Sequence, residues 1–201
     1  MKLYHAPNSR AGRIVWFFEE LGAEYDIVKM DFHPKDLKSD DYRKVHPLGR
    51  VPALEDGDVL IYESGAIIQY VLDRYHPDKL RPAVDSPAYP TYLQWFHYCE
   101  GMVMPPVNTI VVHTLLLPED RRDMVVLGQA QRLLGKALAP VEADMAGKDY
   151  LAGDFSAADV MLGHAIFMSN RMGIVTDEMP NLKGYLERIT ARPAFQTGIN
   201  M

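Results

Sequence analysis

The chain is expected to fold as a small mixed α/β domain followed by an all-helical one, and three observations carry that expectation. The first 77 residues alternate short strand-like runs with two apolar-striped helices, in the order β-α-β and then β-β-α. A polar, proline-rich stretch follows at 78–87 and reads as a linker. Beyond it, over 88–201, apolar residues recur mainly at helical spacing. A length of 201 residues suits two domains, each able to build its own core.

Lys2 to His5 reads as a strand, and Ala11 to Leu21 as a helix whose stripe is Ile14, Val15, Phe17, Phe18 and Leu21, stopped by Gly22. Tyr25 to Val28 is the second strand, so this β-α-β unit needs a parallel pairing with a right-handed crossover. A polar stretch from Asp31 to Lys44 follows. Ala53-Leu54 and Val59 to Tyr62 then flank an Asp-Gly dipeptide at 56–57, a strong hairpin signal. Ile67, Ile68, Val71, Leu72 and Tyr75 mark one face of the helix that closes the unit. This order is that of a thioredoxin-like domain.

In the second half, Tyr92, Phe96, Cys99, Val103 and Val107 form a stripe on a helix broken or bent near Met104-Pro105-Pro106. A further helix is expected from about Arg121 to Met145. Ser156-Ala157-Ala158-Asp159 has the form of a capping box, with Met161, Ala165 and Met168 carrying the apolar run onward. That helix is expected at the core of the second domain.

Composition narrows the function classes. A formal charge of −6 with dispersed basic residues offers no field for a nucleic-acid backbone. No stretch is apolar for long enough to span a bilayer and the N-terminus lacks a signal-peptide core, so no membrane association and a cytoplasmic location are expected. The single cysteine, Cys99, falls on an apolar stripe and reads as buried and inert. The seven histidines show no close pair at metal-ligand spacing, and no metal is expected.

The chemistry is concentrated in Arg50-Val51-Pro52-Ala53-Leu54, Glu63-Ser64 and Ser9-Arg10. A proline between strand-like runs cannot donate a ladder hydrogen bond, and a cis Val51–Pro52 bond would turn the Val51 N–H and C=O outward, where an extended ligand can pair with them as an added strand. Ser64 falls where a helix N-cap belongs, beside amides and a dipole end that favour a ligand carboxylate. Glu63 can accept from a ligand ammonium. Ser9 read alone is an N-cap of the first helix; beside the rest of this constellation it reads as a ligand contact.

With these motifs, the chain resembles the cytosolic glutathione S-transferases over essentially its full length: a serine before the first helix, Gly49-Arg50-Val51-Pro52-Ala53-Leu54, Glu63-Ser64-Gly65-Ala66-Ile67, the linker, and the capped helix at Ser156 to Asp159. It is most similar to the bacterial serine-type, theta-like members and their fungal relatives, partly through Glu100-Gly101-Met102-Val103-Met104-Pro105-Pro106. The resemblance implies a homodimeric enzyme with glutathione as co-substrate and a hydrophobic electrophile as its partner. Glutathione suits the deduced site, being an extended zwitterion with a thiol at its centre. A thiol of pKa near ~8.5 is mostly protonated at neutral pH, and the thiolate is the nucleophile.

By the resemblance, Ser9 donates to that sulfur; Asn8 and Arg10 lie beside it, and the choice among the three stays open. Arg50 and His46 depart from the family's usual lysine or glutamine and asparagine, yet both retain donors for a carboxylate. His97 and Met104 share a face of the helical domain with Gly101 and Asn108, the region that in the family lines the electrophile cleft. Two other readings use the same residues: a glutathione-binding or protein-interaction module without turnover, and a glutathione-dependent peroxidase or isomerase.

Overall fold

A computed structural model of the chain describes residues 1–31 and 33–201. They form two compact units: Met1–Leu80 with Thr190–Met201, and Arg81–Ile189.

The first unit is built on a four-stranded sheet of order β2-β1-β3-β4, with β1 at Lys2–His5, β2 at Asp26–Lys29, β3 at Ala53–Asp56 and β4 at Val59–Tyr62. β1 pairs parallel to β2 and antiparallel to β3, and β3 pairs antiparallel to β4. Leu3 on β1 lies opposite Ile27 on one side and Leu54 on the other, which places apolar side chains at the middle of the sheet. The hairpin turns at Gly57-Asp58, with Gly57 at φ 61, a conformation glycine reaches at little cost.

Helix α1 (Gly12–Leu21) buries nearly its whole surface and ends where Gly22, at φ 64, bonds back to Glu19. Its Ile14, Phe17 and Phe18 are fully buried, as are Ile67, Ile68, Val71 and Leu72 of α4 (Ser64–Tyr75). Each such side chain contributes roughly 1.5–3 kcal/mol through removal from water. The polar stretch expected at 31–44 contains two short helices, α2 (Pro34–Leu37) and α3 (Asp40–Val45); Phe32 lies outside the described residues. Ser39 caps α3 by accepting from the Tyr42 amide.

The last helix corrects the sequence-based boundaries. α10 (Pro193–Asn200) belongs to the first unit, although the helical domain was expected to run from 88 to 201. The physical reason is a close approach to α1: a Cβ on Gly198 would lie 2.6 Å from the Gly12 carbonyl oxygen and 2.8 Å from the Trp16 nitrogen. Phe195 meets Trp16 edge-on at 4.9 Å, and Arg192 grips both carboxylate oxygens of Glu20 at 2.6 and 2.7 Å. Such docking of distant segments leaves no periodic trace in the sequence.

The second unit comprises α5 (Tyr89–Tyr98), α6 (Met104–Val111), α7 (Met124–Asp144), α8 (His164–Arg171) and α9 (Pro180–Thr190), the last ending at the unit boundary. A wide π-type turn at Cys99–Val103 joins α5 to α6, with the Met104 amide bonding five residues back to Cys99. Pro105 and Pro106 supply no amides, and the wider turn relieves their rings, so the helix continues through the expected break. The stripe Tyr92, Phe96, Cys99, Val103, Val107 is buried as expected. Cys99 is fully buried, its Sγ 3.1 Å from the Met161 carbonyl oxygen. α7 starts three residues later than expected, because Asp123 accepts from the Val125 and Val126 amides and caps it there. Among the described residues no helix is long and apolar enough to cross a membrane.

Asp159 organises this unit. It is fully buried and accepts from the Leu151 amide (3.0 Å), the Ser156 amide (2.9 Å), the Ser156 hydroxyl (3.0 Å) and the Tyr185 hydroxyl (3.0 Å). The capping box is thus one-sided, since the Ser156 hydroxyl donates to Asp159 while the Asp159 amide bonds the Ser156 carbonyl. Burial pushes the Asp159 carboxyl up to about 6, against the pull of its four donors. A carboxyl that binds its proton more tightly folded than unfolded adds stability at low pH and loses it as pH rises through about 6. Asp159→Asn turns an amide group toward those donors and is expected to cost about 2–3 kcal/mol at pH 7. Chemical denaturation at several pH values checks both points: between pH 7 and pH 4 the wild type should gain about 2–3 kcal/mol relative to Asp159→Asn.

Candidate glutathione site

The sheet topology brings three loops of the first unit to one end. β1 ends at His5 and leads into Ser9; β3, antiparallel to it with Ala53 opposite Tyr4, begins just after Val51-Pro52; β4, with Tyr62 opposite Ala53, ends just before Glu63-Ser64. All three sequence-predicted motifs therefore converge at this edge.

The Val51–Pro52 peptide is cis, as expected. Among the described residues neither the Val51 amide nor its carbonyl takes part in a backbone hydrogen bond, although β3 begins two residues later. Val51 packs with Ala6, Ala11, Leu37 and Tyr42 in a small apolar cluster beneath the loop. The approach to the cis bond is tightly held: Lys38 Nζ donates to the carbonyls of Leu48 (2.5 Å) and Gly49 (3.2 Å). Gly49 sits at φ 55, and a Cβ there would lie 1.8 Å from the Leu37 carbonyl oxygen. Gly49→Ala is expected to cost about 2–3 kcal/mol of stability, since the backbone must move as well as strain. Thermal denaturation reads that loss, and glutathione titration should show weakened binding.

At the third loop the cap differs from expectation. Glu63 holds the N-cap position, and Ser64 is the first helical residue of α4. Glu63 adopts φ 75 with its side chain exposed, a positive-φ conformation that costs a non-glycine residue about 1–3 kcal/mol and recurs at functional sites. The Ile67 amide closes on the Glu63 carbonyl at 2.9 Å, so the amides of residues 64–66 precede the first intrahelical bond. Ser64 is buried and accepts from Arg13 Nη1 at 3.2 Å. The guanidinium thereby occupies the acceptor side of Ser64 Oγ and leaves its proton for a ligand carboxylate.

Arg13, which holds Ser64, was not among the residues singled out from the sequence. It is fully buried within α1. The signal was present: an arginine directly before the run Ile14, Val15, Trp16, Phe17, Phe18, on the same helix, is a charge beside a wholly apolar stretch.

Ser9 is half-buried in the loop between β1 and α1, and it is not the helix cap; that position belongs to Ala11. Its hydroxyl donates to the Ala6 carbonyl at 2.6 Å and accepts from the Ala11 amide at 3.2 Å. To donate to a ligand sulfur it must exchange the Ala6 carbonyl for that sulfur. Asn8 precedes it at φ 56, exposed, and Arg10 follows, half-buried.

His46 is buried, its ring 4.6 Å from that of Tyr62, and its Nδ1 accepts from the Leu48 amide at 3.2 Å. Burial lowers its pKa, the Arg50 and Lys38 charges acting the same way and Glu63 opposing them. The ring is therefore neutral at pH 7, with its proton on Nε2 as a single donor. Arg50 is exposed.

The two predicted residues of the second unit differ in burial. His97 is exposed near the end of α5, whereas Met104 is buried at the start of α6, while Gly101 and Asn108 are exposed. Met104 is thus the one of the four that is buried, while the apolar stripe on the other side keeps its expected spacing across the wide turn at Cys99–Val103.

Val51 with its backbone amide and carbonyl outside the sheet ladder, the start of α4 with its unbonded first amides, and the exposed Glu63 thus lie at one end of a thioredoxin-like sheet. The model of the glutathione S-transferase N-terminal domain matches residues 1–73, and that of the glutathione S-transferase C-terminal domain residues 103–193. A probable glutathione S-transferase of Oryza sativa subsp. japonica is 32% identical, covering 94% of this chain and 90% of its own. Glutathione S-transferase 3 of Zea mays is 34% identical, covering 98% and 91%. Among solved structures, the theta-class glutathione S-transferase of Xanthomonas axonopodis pv. citri with glutathione bound is 27% identical, with a TM-score of 0.85 over 100% of this chain and 97% of that one. The chain belongs to the glutathione S-transferase family, and its activity is that of a glutathione transferase with glutathione as co-substrate.

Proposed function

We propose that the protein activates the glutathione thiol at Ser9 for attack on a hydrophobic electrophile, as a cytoplasmic homodimer with a detoxifying role. The observation that carries this reading is the convergence of Ser9, the Val51 edge and Ser64 at one end of the sheet. Glutathione supplies the nucleophilic sulfur, and the chain's own residues orient it. The Val51 amide and carbonyl pair with the central peptide. Ser64 and the first amides of α4 take one carboxylate, Glu63 takes the ammonium, and the neutral His46 and cationic Arg50 take the second carboxylate. Ser9 turns its proton from the Ala6 carbonyl to the sulfur, with Asn8 and Arg10 beside it. His97 and Met104 are assigned to the electrophile.

Within the family we place the chain with the bacterial serine-type, theta-like group and its fungal relatives, on Ser9 and the run Glu100 to Pro106. Turnover separates this reading from a binding module. Glutathione-dependent consumption of an aromatic chloro-nitro electrophile should exceed the enzyme concentration many-fold. Tight glutathione binding with no turnover of any aryl or alkyl electrophile would contradict it.

A further inference from the structure

We infer that Tyr42 is a positioning residue for glutathione: its hydroxyl, by holding the Arg50 carbonyl, aims the Val51 amide at the bound peptide. The inference rests on the pairing role of Val51. Tyr42 lies on α3, buried in the cluster with Ala6, Ala11, Leu37 and Val51, and its hydroxyl donates to the Arg50 carbonyl at 2.7 Å. That carbonyl and the Val51 amide belong to one planar trans peptide, in which C=O and N–H point in opposite directions. Fixing the oxygen against α3 therefore fixes the direction of the N–H on the other side. Burial raises the Tyr42 pKa, so the group stays a donor throughout the physiological range.

The neighbouring loop bonds do not substitute for it. Lys38 holds the carbonyls of Leu48 and Gly49, and His46 holds the Leu48 amide, all upstream of the peptide that carries the Val51 N–H. Tyr42 alone among these side chains acts on that peptide. Its ring partner Tyr4, 5.5 Å away, directs its own hydroxyl to Glu55 instead. Tyr4 thus provides a matched control, a tyrosine of the same aromatic pair whose hydroxyl does not touch the loop.

The test compares Tyr42→Phe with Tyr4→Phe in the full chain. Tyr42→Phe should raise the KM for glutathione about 5- to 10-fold, the worth of one neutral hydrogen bond, with kcat at saturating glutathione within about two-fold of wild type. Tyr4→Phe should leave KM within about two-fold. The Val51 amide resonance should move on saturation of the wild type with glutathione, and move less in Tyr42→Phe. An unchanged KM in Tyr42→Phe, or an equal rise in both variants, overturns the inference while a shifted wild-type Val51 resonance keeps the pairing role intact. A Val51 resonance indifferent to glutathione in the wild type overturns both.

Discussion

Ser9→Ala is expected to lower kcat about 100-fold while changing glutathione affinity little. A hydrogen bond from a hydroxyl to a thiolate is charge-assisted, and lowering the thiol pKa by ~2 units corresponds to about 2.7 kcal/mol of preferential thiolate stabilisation. That energy is realised in the ionised form that reacts, so its loss appears in the chemical step rather than in binding. The structure adds a condition: the Ser9 hydroxyl has one proton, and in the free protein it points at the Ala6 carbonyl. Binding must compete for it. The Ala11 amide, 3.2 Å from Ser9 Oγ, keeps the oxygen in place during that exchange and favours a hydroxyl that donates away from α1. Ser9→Thr, which retains the donor, should recover most of the lost rate if its added methyl is accommodated, and Ser9→Cys should not. Steady-state kinetics at saturating electrophile distinguishes these outcomes.

Arg13→Ala is expected to strike stability and binding together. Its side chain is fully buried, and its truncation opens a cavity between α1 and α4 and removes the donor to Ser64; a loss of about 3–5 kcal/mol follows from that combination. Glutathione affinity should fall at least about 10-fold, because Ser64 is then free to turn its proton inward, away from the ligand carboxylate. Arg13→Lys separates the two effects. It restores much of the volume and a donor, so stability should recover further than affinity, since a lysine cannot reproduce the planar fork. Denaturant titration and calorimetric binding on the same preparations check this; affinity that tracks stability in both variants would show that Arg13 acts only as core.

These predictions depend on features of unequal visibility in the sequence. The cis bond at Val51–Pro52 was legible because proline between two strand-like runs has few other solutions, and the hairpin because Asp56-Gly57 leaves few other turns. The α4 stripe and the Ser156 cap are local patterns of the same sort. Capping propensity places the cap of α4 at Ser64, one residue late: serine is the stronger capping residue, but Ser64 is the first helical residue, buried and bonded to Arg13, and Glu63 holds the cap at φ 75. Helices α2 and α3 stayed hidden because they are short and carry few buried anchors, Leu37 and Tyr42 among them. The docking of α10 depends on Gly198 meeting Gly12 across most of the chain's length, a match of shapes that no window of sequence contains.

Thiol activation at Ser9 is tested by the pH titration of thiolate absorbance for glutathione bound to the wild type and to Ser9→Ala. The bound thiol pKa is expected about 2 units below that of free glutathione in the wild type, returning close to the free value in Ser9→Ala. Equal depression in both proteins would move activation away from Ser9 to Asn8 or Arg10. An undepressed pKa in the wild type would contradict thiolate stabilisation by this site altogether.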